Sequence, residues 1–118
     1  MKDFRELKVW QKAHQLALEV YRQSALLPTE ERFGLTAHLR KTAVSIPSNI
    51  AEGCGRQGDR ELTRFLSIAS GSAAELEYQL LLAHDLAYLP AQAHRQLDAL
   101  VGEVKRMLYR FIQSLAEA

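Results

Sequence analysis

Apolar residues in this 118-residue chain recur at three- and four-residue steps almost from end to end. Only three prolines and six glycines interrupt them. That spacing matches a helix of 3.6 residues per turn; the two-residue alternation of a half-buried strand is sustained nowhere. The pattern divides into four segments. The first runs from about Arg5 to Leu26, with Leu7, Trp10, Ala13, Ala17 and Tyr21 on one face. Pro28 ends it, and Thr29 is a candidate cap for the next helix, with Glu30 and Glu31 in its first turn. The second runs from about Glu30 to Cys54, with Leu35, Leu39, Ala43, Ile46 and Ile50 as its stripe. Pro47 lies inside it, where a missing N–H and a bulky ring predict a kink. The glycine-rich stretch from Gly53 to Gly58 is the clearest loop. Asp59 is the expected cap of a third helix from about Arg60 to Tyr88. Pro90 suits the first turn of a fourth, about Pro90 to Leu115.

Four amphipathic segments with short connections predict an all-α, antiparallel up-down-up-down four-helix bundle, one domain over residues 1–118, kinked in its second helix at Pro47. A hydrophobic fraction of 47% and a charged fraction of 25% exclude a disordered chain. The third segment is apolar over more than one stripe, because Ile68, Leu81 and Leu82 fall off its main face. Surplus apolar surface of this kind predicts a second covered face, by contact with another subunit or by long side-chain stems. The opening residues are too charged for a secretory leader. The longest aliphatic run, Leu80 to Ala83, is too short to span a membrane. A lone cysteine, Cys54, cannot form an internal disulfide, and a cytoplasmic protein is expected.

Two patterns are candidate sites. On the second segment His38, Thr42, Ser45, Asn49 and Glu52 step by four and three, forming a polar seam beside the apolar stripe. Ser67 and Ser70, with Gly71 and Ala74, form a comparable seam of small residues on the third. Polar groups between closely packed helices need hydrogen-bond partners, or each costs about 1–3 kcal/mol. The structural reading is a polar layer of Ser45, Asn49, Glu52, Ser67 and Ser70 that sets register. The catalytic alternative is a small hydrolase or transferase built on Ser45, Asn49 and Glu52, although no nucleophile–base spacing marks one.

The second pattern is charge. Residues 1–58 carry nine Lys and Arg against six Asp and Glu; residues 59–118 carry six against eight. Arg5, Lys8, Lys12, Arg22, Arg40, Lys41 and Arg56 therefore form the candidate nucleic-acid surface, multiplied by the subunit count in a homo-oligomer. Solvated faces or salt bridges are the alternative. No metal site is expected, since His14, His38, His84 and His94 fall at no ligand spacing. No cofactor is expected either, since Gly53-Cys54-Gly55 lacks the strand and the Gly-Lys-Ser/Thr of a phosphate loop.

The run from Leu35 to Gly53, and above all Val44-Ser45-Ile46-Pro47-Ser48-Asn49-Ile50-Ala51-Glu52-Gly53, resembles the signature of the proteins encoded by intervening sequences in bacterial 23S ribosomal RNA genes. That family includes the accessory variability protein of diversity-generating retroelements. Phe4, Leu7 and Val9 to Ala13, then Phe65 to Ser72, and Glu75-Leu76, are similar too. His38 and Lys41 depart from the pattern, where glutamine and arginine are usual. The resemblance implies a bundle that assembles as a homopentameric barrel. For the retroelement member it implies a reverse transcriptase partner and nucleic-acid binding through basic surface. The expectation is a non-enzymatic homo-oligomeric scaffold or adaptor, pentameric, partnering itself, RNA or DNA, or a nucleic-acid enzyme, with no membrane partner. A protein-only adaptor is the further alternative.

Overall fold

The computed structural model describes residues 3–117. Four helices make up most of it: α1, Lys8–Ser24; α2, Leu35–Gly55; α3, Asp59–Asp85; and α4, Ala91–Ala116. Short 3-10 turns at Phe4–Glu6 and Thr29–Glu31 precede α1 and α2. No strand occurs among the described residues. Each helix packs on two neighbours, α1 and α3 each lying between α2 and α4. The result is a four-helix bundle of 45 × 23 × 20 Å.

Contacts fix the helix directions. Gly53 at the end of α2 lies against Leu62 and Phe65 at the start of α3. Glu31, just before α2, accepts the hydroxyl of Tyr88, just after α3. α2 and α3 therefore run against each other. Their close approach depends on Gly53: a Cβ there would stand 3.0 Å from Phe65 Cβ and 3.1 Å from the Leu62 side chain.

The apolar stripes converge on one core. Leu16, Leu39, Ile46, Ile50, Leu66 and Leu76 are fully buried, with Val101, Val104 and Leu108 of α4 closing the far side. Each such side chain contributes about 1.5–3 kcal/mol through removal from water. Leu62, Phe65, Leu66, Ala69, Ala73, Leu76, Leu80 and Ala83 form the buried face of α3, and Ile68 and Leu81 are left 41% and 45% exposed.

Helix ends depart from the sequence expectations. Thr29 does not cap α2. It opens a 3-10 turn that places Glu31 one turn before the helix, where the Glu31 carboxylate accepts the Leu35 N–H at 3.1 Å. A longer side chain reaches from a turn that the β-branched threonine only begins. Asp59 is likewise not the cap of α3 but its first residue; the cap position is Gly58, at φ 83. Asp59 then acts through its charge beside the positive end of the helix. Pro90 is the cap residue of α4 rather than a member of its first turn. α2 is continuous through Pro47, which is buried.

α3 closes by a Schellman turn. Tyr88 N–H reaches the Ala83 carbonyl and Ala87 N–H the His84 carbonyl, both at 2.9 Å. Ala87 takes the left-handed conformation, φ 63, where glycine is usual.

Candidate functional site

α2 separates two grooves of similar size. The one between α2 and α3 is polar. Its volume is about 490 Å³, and His38, Lys41, Thr42, Ser45 and Asn49 form one wall. Ile68, Ser72, Glu75 and Gln79 form the other. Four of the five residues read as the α2 seam thus line one open groove. Ser45 Oγ donates to the Thr42 carbonyl at 2.7 Å, and Asn49 Nδ2 donates to the Ser45 carbonyl at 2.7 Å. Both satisfy themselves on their own helix, as short polar side chains do in helix interiors. Glu52 turns away: Arg56 Nε donates to Glu52 Oε2 at 3.1 Å. Ser67 is exposed and Ser70 half-buried, and neither lines the groove.

The α3 residues that do line it are spaced four, three and four apart, so the helical period already places them on one stripe. Gln79 Nε2 donates to Glu75 Oε2 at 3.4 Å, while Gln79 Oε1 is buried with no protein partner. Lys41 and Glu75 face each other across the groove without an ion pair between them.

The groove between α1 and α2 is apolar, about 520 Å³. Phe4, Trp10, Leu18 and Tyr21 line it from the α1 side, and Val44, Pro47 and Ala51 from α2. Trp10 stacks on His14 at 5.0 Å between ring centres, and Phe4 tilts against Trp10 at 4.9 Å. Leu18, Tyr21 and Val44 stay 43%, 46% and 39% exposed.

The cations read as a nucleic-acid surface are largely engaged within the chain. Arg5 pairs with Asp3 at 3.1 Å and holds that carboxyl below its usual range through a side-chain hydrogen bond. Lys12 reaches Glu103 at 3.5 Å, Arg22 pairs with Glu19, and Arg56 pairs with Glu52. Arg40 is a structural clamp. It donates from Nε to the buried Ser24 hydroxyl at 2.9 Å and from a terminal nitrogen to the Tyr21 carbonyl at 3.2 Å, and it covers the Tyr21 ring. Among the described residues, only Lys8 and Lys41 of the seven have no such partner. The seven do not meet on one face: Lys8 stands beside α4, Lys41 on the polar groove.

These features define a helical bundle with two surface grooves. Among the described residues no three His, Cys, Asp or Glu are placed to hold a metal ion, and no helix is long and apolar enough to cross a membrane. The family of 23S rRNA-intervening sequence proteins matches over residues 5–110, and the chain belongs to that family. The crystal structure, at 1.70 Å resolution, of a protein of unknown function from the S23 ribosomal protein family of Bacteroides thetaiotaomicron is similar, with a TM-score of 0.83. The likeness covers 89% of this chain and 95% of that one at 24% identity, and is one of fold. No curated protein matches the sequence.

Proposed function

We propose that this chain is a non-enzymatic subunit of a homopentameric scaffold or adaptor, whose cargo is RNA, DNA or an enzyme that works on nucleic acid, such as a reverse transcriptase. The observation that carries the reading is apolar surface in two different places. The α1–α2 groove exposes Leu18, Tyr21 and Val44, and the outward side of α3 exposes Tyr78 and Leu81, three residues apart. A two-fold dimer buries one patch against itself, whereas a ring buries one surface against a different one on the next copy. Two separate apolar patches suit the ring. The family's homopentameric barrels, implied by the sequence resemblance, set the expected number.

The hydrolase reading has less support. The Ser45 hydroxyl proton points to a backbone carbonyl rather than to a base, and Glu52 pairs with Arg56 outside the groove. A nucleophile needs a base within hydrogen-bond reach.

Light scattering at micromolar concentration tests the assembly. The expected mass is near five times the 13.3 kDa of the chain. A 13.3 kDa species throughout that range overturns the reading. Leu18→Glu with Val44→Glu should give a helical monomer, because carboxylates in the groove would have to be buried unpaired on assembly. Fluorescence anisotropy with labelled RNA and DNA at low salt tests the cargo, and silence with both leaves a protein-only adaptor.

A further inference from the structure

The second half of the chain is acidic in sum, yet residues 104–116 hold Lys105, Arg106 and Arg110 and no Asp or Glu. The fold gathers these with Lys8 of α1. Arg110 separates two shallow hollows along α4, one shared with α1 and one lined by α4 alone on the side of the Lys105–Glu77 pair. One of about 290 Å³ includes Lys8 and Phe111 in its lining, and one of about 340 Å³ includes Lys105, Arg106 and Tyr109. Lys105 is committed to Glu77 at 2.8 Å. Lys8, Arg106 and Arg110 have no acidic partner among the described residues. Arg106 folds back over Gly102, whose missing side chain leaves room: a Cβ there would stand 3.3 Å from the guanidinium. Tyr109 is 64% exposed. Arg106, Tyr109 and Arg110 line the same hollow on the outward side of α4, so the phenol lies beside both arginines.

We propose that Lys8, Arg106, Tyr109 and Arg110 form a binding surface for single-stranded nucleic acid, with the three cations on phosphates and a base stacked on Tyr109. The proposal rests on the nucleic-acid part of the function proposed above; of the cations first read in the sequence it keeps Lys8 alone and adds those of α4. Those cations are mostly neutralised by acids of the same chain, whereas these are not. An exposed aromatic beside unpaired arginines favours a single strand, whose unpaired bases offer a ring face that a duplex hides. Phosphate contacts supply affinity without sequence preference.

The test uses the full chain and a fluorescein-labelled 20-nucleotide strand of mixed sequence, as RNA and as DNA, with the DNA duplex as comparison. Wild type should prefer single strands. Arg106→Gln with Arg110→Gln should flatten the dependence of log affinity on log salt by about 1.4 per bound subunit, from 0.7 for each of two lost phosphate contacts. Tyr109→Ala should weaken binding about 5- to 150-fold, the range for losing one stacked base, and Tyr109→Phe should restore it. Circular dichroism and mass confirm that these surface variants keep the wild-type assembly. Lys8→Gln gives an independent check from another helix and should weaken binding and lower the slope as well. If wild type binds neither strand at low salt, both this proposal and the nucleic-acid reading fall. If wild type binds but the Arg106, Tyr109 and Arg110 variants bind equally well, while Lys12→Gln with Lys41→Gln does not, the reading stands and this surface is wrong. Equal affinity for duplex and single strand, unchanged by Tyr109→Ala, overturns the single-strand assignment.

Discussion

The two grooves beside α2 are nearly equal in volume and opposite in chemistry. One helix builds a wall of each. Val44, Pro47 and Ala51 point to the apolar groove, and Lys41, Ser45 and Asn49 to the polar one. Ala43, Ile46 and Ile50 point between them into the core. Water can occupy the polar groove and complete its hydrogen bonds, so that groove can persist in an isolated subunit. Water gives nothing to the apolar groove, whose surface gains free energy only when covered. Size therefore says little about either groove, and lining decides. Under the assembly proposed above, the apolar groove is the surface that a neighbouring copy would cover, and the polar one needs no cover.

The harshest way to break the comparison is to remove the side chain that holds both walls in place. Ile46 is fully buried between Ser45 and Pro47, which face the two grooves. Ile46→Ala should cost about 2–5 kcal/mol in chemical denaturation, through lost transfer free energy and the cavity left behind. Both grooves should loosen together. A cost confined to a few tenths of a kcal/mol would show that α2 is not the shared strut.

Next in size is a change that touches one groove alone. Arg40 ties the end of α1 to α2 through the buried Ser24 hydroxyl and the Tyr21 carbonyl, next to the apolar groove. Arg40→Ala should cost about 1–3 kcal/mol, since it removes a charge-assisted bond to a buried hydroxyl, which keeps only its own bond to the Tyr21 carbonyl. Arg40→Lys should recover little, because an ammonium lacks the planar fork that serves two acceptors and covers a ring. Asn49→Ala, at the polar groove, should cost less than Arg40→Ala, since its bond stays within one helix. Equal losses would remove the distinction between a groove held by tertiary clamps and one held by local bonds.

Arg40 also marks the limit of what the sequence reveals. Helix number, core stripes and approximate bounds follow from period, because burial on one face dictates spacing. The polar seam was legible for the same reason, as far as His38, Thr42, Ser45 and Asn49. Partners of long charged side chains are not legible this way. Lys12 meets Glu103 from the other end of the chain, and Arg40 meets a serine sixteen residues back. Summing charge over halves concealed the α4 cations, since acids elsewhere in that half outweigh them. The cap of α3 is not legible either, because Asp59 suits both the cap and the first turn, and only the backbone at Gly58 distinguishes the two.

A smaller effect separates the two glycines that face the seam and the solvent. Gly53→Ala puts a Cβ within 3.1 Å of both Phe65 and Leu62, and these buried side chains have little room to retreat. A net cost of about 1–2 kcal/mol is expected, steric strain exceeding the gain in helix propensity. Gly71 is exposed in mid-helix with nothing near its missing Cβ. Gly71→Ala should stabilise the isolated subunit by about 0.5–1 kcal/mol. Thermal denaturation of both variants reads the contrast, and a matching sign would break it.

The smallest effect lies where the α2–α3 seam ends. Tyr88 donates to Glu31 Oε2 at 3.2 Å, and the same carboxylate caps α2 through Oε1. Partial burial raises the Tyr88 phenol above its ordinary value, and the hydrogen bond to Glu31 and the nearby carboxylate charges add to the rise. The folded value then lies above the unfolded one, near 10. Folding favours the protonated phenol, so its contribution is fully present below about pH 10 and is lost as pH rises through the folded value. Wild type should lose stability above pH 10 more steeply than Tyr88→Phe, and the two should run parallel between pH 6 and 9. Urea midpoints across that range read the difference. Parallel curves up to pH 11 would mean that the Glu31–Tyr88 contact does not persist in solution. The cap on α2 would then rest on Glu31 alone, and the polar seam would end at its groove.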